Sequence, residues 1–231
     1  MGANYDMILS AGRSQTEVID SVRTFLQWQG YRPLGVIGYN AFREHRPDAI
    51  DMVCFVGPQR TGVWLPVVAN CSTLRVSLRD WFTLNPLARH LSISARATIY
   101  LWCLDSGYAA GYSLFSQGQH QESQTVFWRG ETRRPAEIMS GVPVPDYRGA
   151  MNLGNVLENS EFDYEKFMSG FRNLEHATAG FVASLGILEQ LCDFERLARG
   201  RDAVAVIGGK SQPVPLSSDW VIIPYETSTT T

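Results

Sequence analysis

The chain has 231 residues, 45% hydrophobic, 11% aromatic and 19% charged, with 23 acids against 20 Lys and Arg for a net charge of −3. This is enough apolar chain to bury a core, and it excludes disordered and fibrous classes. With no basic run beyond Arg133-Arg134, the footprint of phosphate neutralisation is missing, which excludes nucleic acid as a partner.

The start, "MGANYDMILSAGRS", has neither a secretory pattern nor, with Asp6, a myristoylation pattern. No window approaches the ~18 apolar residues that span a bilayer, so no membrane association is expected and the protein is read as cytoplasmic. "SQTE" (14–17) is a capping box, in which the Ser14 hydroxyl takes the Glu17 amide and the Glu17 side chain reaches back. Val18, Val22, Phe25 and Leu26 follow at helical spacing, and Gly30 is placed to end the helix in a left-handed conformation. The pattern predicts a helix over about 15–29, with Trp28 at the edge of its apolar stripe.

A β-rich block follows. "RPLGVIGYN" (32–40) reads as a strand and "REHRPD" (43–48) as a polar turn. "AIDMVCFVG" (49–57) and "GVWLPVVAN" (62–70) read as a hairpin joined by "PQRT". "TLRVSL" (73–78) alternates like a strand with one wet face, and "NPLARHLS" (85–92) reads as a short helix with Asn85 capping and Pro86 at its first position. "ATIYLWCL" (97–104) is apolar on both parities, the mark of a central strand covered on both faces. After the turn "DSGYAA", "GYSLFS" (111–116) and "QTVFW" (124–128) supply two more strands.

Residues 129–160, rich in proline and glycine, read as a long connection of a kind that is often functional. Helical spacing returns over about 163–198, and "AVAVIGG" (203–209) and "DWVIIPY" (219–225) are late strands. The whole reads as one α+β domain over residues 1–226, with a β-rich region at 1–128, the connection at 129–160 and a helical region at 161–200. Its sheet is expected to be mostly antiparallel, over about 33–128 and extended by 203–225, with the first helix and the C-terminal helices packed on it. "TSTTT" (227–231) reads as a frayed tail.

Catalytic signatures are weak. Cys103 lies beside Asp105, and His120 follows across the same meander, so these three are the candidates for a cysteine-dependent hydrolase, in which an imidazole lowers the thiol pKa. Their spacings match no motif, and Cys103 falls in a strand expected to be buried. The four cysteines, Cys54, Cys71, Cys103 and Cys192, form no CxxC pair and read as core thiols. His45, His90, His120 and His176 show no HxH or HExxH spacing, so no metal and no cofactor is expected. "GYSLF" (111–115) lacks the second glycine of a nucleophile elbow, "RPDAID" (46–51) lacks the acid-x-Lys of a nuclease core, and "IGGKS" (207–211) lacks the first glycine of a phosphate loop.

What remains is recognition. Glu158, Glu161, Asp163 and Glu165 in "ENSEFDYEKF" form an acidic cluster suited to docking a basic protein, and Trp28 and Trp128 are the tryptophans placed to anchor an interface. The sequence is therefore read as a non-catalytic protein-binding module. In layout alone, with no motif matching residue by residue, it resembles bacterial toxin-immunity proteins.

Overall fold

The structure, a computed structural model, describes residues 5–45, 50–58, 64–71, 84–104, 109–127, 203–207, 210–214 and 219–227. The elements in chain order are β1 (Tyr5–Ala11), α1 (Gln15–Trp28), β2 (Tyr31–Pro33), β3 (Ile37–Gly38) and α2 (Tyr39–Glu44). There follow β4 (Met52–Val56), β5 (Trp64–Cys71), α3 (Leu84–Leu91), β6 (Ala97–Leu104), β7 (Ala109–Ser116) and β8 (Gln119–Phe127). The last strands are β9 (Ala203–Ile207), β10 (Lys210–Val214) and β11 (Val221–Thr227). Nine strands form one sheet in the order β2, β11, β4, β5, β1, β6, β7, β8, with β3 also on β11, and every pairing is antiparallel. The α+β reading holds at that level.

Local chemistry explains α1. Ser14 accepts from the Glu17 amide while Glu17 accepts from the Ser14 amide, so the expected capping box is formed. Val18, Val22 and Leu26 are buried on one side, and Gly30 stands at φ +85° just past the helix end. The stripe meets Leu87, Ala88 and Leu91 of α3 over Ile8, Val56, Leu65, Val67, Tyr100 and Ile223 of the sheet, a single apolar cluster. On the opposite face Phe42 of α2 sets its ring edge-on to Phe55, centroids 6.3 Å apart. Ile99, Tyr100 and Leu101 are all buried, so β6 is covered on both faces as its sequence implied.

Several expectations change. The strand expected over 32–40 is two short strands, and the chain turns helical at Tyr39, because the buried pair Tyr39 and Phe42 shares one face only at helical spacing. That helix also takes Arg43 and Glu44 from the expected turn. Asn85 is not a cap: α3 begins one residue earlier, at Leu84, whose side chain is buried in the core. β8 begins at Gln119 rather than 124, after a two-residue turn. The late strands divide, since β11 enters the main sheet between β2 and β4 while β9 pairs with β10 in a sheet of two strands. β11 also runs on to Thr227, whose amide and hydroxyl both donate to Asp51 Oδ2 at 2.7 and 2.5 Å. The strand expected at 73–78, the connection 129–160, the helices about 163–198 and residues 228–231 lie outside the described residues, as do 105–108 of the turn expected over 105–110, whose last two residues belong to β7. Among the described residues no helix is long and apolar enough to cross a membrane.

The strand that the sequence did not announce is β1, which lies between β5 and β6. Its Ile8 is fully buried in the helix-side core. Ile8→Ala is expected to cost about 2–5 kcal/mol, the range for truncating a buried Ile to Ala. Guanidinium unfolding measures it; an unchanged midpoint would show that β1 does not hold the sheet together.

Candidate functional site

The β7–β8 hairpin builds one wall of the site. Ser116 pairs with Gln119, so the turn is Gln117-Gly118, both with positive φ (51° and 72°). This is the two-residue geometry whose twist matches the strands, and a glycine at its second position removes the steric cost. Three residues on, the register slips: Leu114 faces Glu122 while Phe115 faces His120, leaving Gln121 as a bulge. In a regular strand, residues three apart point to opposite faces. The extra residue resets the alternation and brings His120 and Ser123 to one face.

Their side chains meet there. His120 Nε2 lies 2.5 Å from Ser123 Oγ, which in turn donates to Ser113 Oγ at 2.9 Å. Both serines are buried, while the outer end of the chain, the imidazole, is exposed and packs edge-on to Phe115 with centroids 5.5 Å apart. The three groups form one hydrogen-bonded run from His120 through Ser123 to Ser113, in which each hydroxyl can donate or accept and the role of the imidazole follows its tautomer.

The other wall is α3. Arg89 Nε donates to the Gly118 carbonyl at 2.6 Å, and the Gly118 amide donates to Ser92 Oγ at 3.1 Å, so the turn is gripped from both sides. Ser92 Oγ donates onward to the Arg89 carbonyl at 2.8 Å. Between the walls lies an open cleft of about 720 Å³. Asn85, Arg89 and His90 line it from α3, Ile93 from the following turn, and Ser113, Phe115 and His120 from the hairpin. Among the described residues that line it there is no Asp or Glu. The Asn85 Oδ1 atom is buried and has no hydrogen-bond partner among the described residues. His90 also braces α1: its ring sits 5.3 Å from Phe25 and 5.4 Å from Trp28, the latter edge-on at 83°.

The residues singled out from the sequence are scattered. Cys103 lies opposite Tyr5 and Ala110, whereas His120 lies opposite Phe115, itself opposite Thr98. Five residues of β6 separate the two levels, about 17 Å along the strand. The register keeps the cysteine and the histidine apart, and Asp105 lies outside the described residues. Cys54 is buried as a core thiol, and burial pushes its pKa up to about 12, far from a reactive thiolate. Trp28 is 71% exposed, and Trp220 is fully buried. Trp128, Glu158, Glu161, Asp163 and Glu165 lie outside the described residues. Among the described residues no three His, Cys, Asp or Glu side chains gather as a metal site. Arg89, His90, Ser113 and Ser123 were missed as site residues, since only the bulge and the packing of α3 on the hairpin unite them. No protein family, curated protein or solved structure matches the chain.

Burial holds both His90 and His120 below the ordinary histidine pKa of about 6.5; at His90 the Arg13 charge adds to this and the Ser21 carbonyl opposes it. The unfolded chain therefore binds protons at these positions before the folded chain does. Stability is full above about pH 6.5 and falls as pH drops from there toward the folded values. Urea unfolding between about pH 8 and pH 5 should show this decline, and changing both histidines to Gln should flatten it. An NMR titration placing His120 at or above the ordinary value would contradict the assignment.

Proposed function

We propose that the chain is a non-catalytic protein-binding module that meets its partner with the face carried by α1 and α3. One observation carries the reading: Trp28 is 71% exposed, yet its ring is held edge-on against His90. A large aromatic already fixed in place buries much apolar area on binding and loses little side-chain freedom, which is why tryptophan is enriched among interface anchors. Ile93, 63% exposed, lies near the same histidine, since both line the cleft. The distance between Cys103 and His120 supports this reading over a cysteine hydrolase. The acidic run Glu158, Glu161, Asp163 and Glu165 favours a basic protein as the partner and offers a second contact, whose attraction mainly speeds association.

The test replaces Trp28 with a photoreactive phenylalanine analogue in the native host, with the same residue at the exposed Glu44 on α2 as the control. Irradiation is expected to give a discrete adduct from position 28 alone. Adducts identical from both positions, or none from position 28, would remove the α1–α3 face as the binding surface. Trp28→Ala is expected to cost about 0.5–1.5 kcal/mol of stability through the lost ring contact with His90, so loss of partner co-purification by that variant while it remains folded reports the contact itself.

A further inference from the structure

We propose that the cleft between α3 and the β7–β8 turn binds a small organic ligand through an oxyanion, a carboxylate or a phosphate. The inference stands on the cleft alone and is independent of the role given to Trp28. Arg89 supplies the charge. Its Nε is tied to the Gly118 carbonyl, which fixes the plane of the guanidinium, and its terminal nitrogens carry no carboxylate among the described residues. A guanidinium anchored at one nitrogen presents the remaining donors as a fork, the geometry that suits an oxyanion.

The facing wall supplies a neutral donor. Ser113, hydrogen-bonded to Ser123, lines the same cleft, and its hydroxyl is able to donate to an oxyanion. The chain as a whole carries −3, yet the described lining has no acid, so an anion entering here meets no repulsion from that lining. Two features describe the rest of the ligand. Phe115 and Ile93 offer apolar surface for an organic body, and about 720 Å³ lies within the ~300–1,000 Å³ usual for such sites.

The experiment titrates the full-length chain with phenyl phosphate, benzoate and the neutral benzyl alcohol, following the Gly118 amide and the His90 and His120 ring protons by NMR. Either anion is expected to shift these signals saturably, and benzyl alcohol is expected to leave them in place. Response to only one anion names the oxyanion source and keeps the proposal. Arg89→Gln is expected to weaken binding about ten- to hundredfold, the loss of one charged hydrogen-bonding partner. Because Arg89 also grips the turn, Ser113→Ala serves as the second variant; it leaves that grip in place and is expected to weaken binding severalfold. Equal response to anion and alcohol, no response to any probe, or affinity unchanged in both variants would overturn the proposal.

Discussion

Between β5 and β6 runs Tyr5–Ala11, and among the described residues its backbone is the only link between the two halves of the main sheet. On one side it pairs Ile8 with Val67 and Ala11 with Trp64; on the other it pairs all seven of its residues with β6. A strand buried on both faces has no water to satisfy its amides and carbonyls, so both neighbours must be in register before it is stable. The connections that enter and leave β1 also set the helices. α1 starts four residues after β1 ends, and the turn after α3 docks on the same strand when the Arg96 amide donates to the Ala11 carbonyl at 2.9 Å. The placement of the cleft wall thus follows from the pairing of the first strand.

The second wall depends on two local irregularities that act together. The turn at Gln117-Gly118 directs the hairpin end at α3, and the bulge at Gln121 decides which side chains face it. Neither is enough alone. A regular β8 would send His120 and Ser123 to opposite faces, and a turn not held by Arg89 and Ser92 would leave the hairpin end without its contact to the helix. The hydroxyl chain then gains from its surroundings, since hydrogen bonds between buried groups strengthen where water is excluded. Tyr112 and Glu122 carry a separate buried hydrogen bond of 2.5 Å on the other face of the same two strands, so the bulge separates two polar sets that do not mix.

What could be read from the sequence was what the chain decides locally. The capping box at Ser14 and Glu17, the stripe Val18–Val22–Leu26 and the stop at Gly30 lie within one helix, and all were visible. β6 announced its double burial because both of its parities are apolar. β1 did not, since Asp6 and Ser10 interrupt a short run and the reason for its burial is two strands distant in sequence. α2 was hidden because six residues give a helical period little room against a β-like composition. The cleft was hidden most completely. A bulge exists only relative to a partner strand, and His120 and Ser123, three apart, would be assigned to opposite faces of any strand drawn from sequence alone.

The division of labour within α3 ties core and cleft together. Leu84, Leu87, Ala88 and Leu91 repeat at steps of three, one and three, and all four are buried under α1 and over the sheet. Asn85, Pro86, Arg89 and His90 fill the intervening positions and line the cleft. One eight-residue helix thus gives one face to the apolar cluster and the other to the site, which is what a period of 3.6 allows. The sheet beneath changes in the same direction. On the helix side β4, β5 and β1 carry Cys54, Val56, Leu65, Val67 and Ile8 with one hydroxyl, Ser10, and toward β8 the hydroxyls of Thr98, Ser113 and Ser123 stand among Tyr100 and Phe115 of the same cluster. The apolar cluster and the polar run therefore meet at Phe115 and Ser113, and α3 packs over both. Its apolar residues set how far Arg89 stands from Gly118, so the packing of the core fixes the geometry of the cleft.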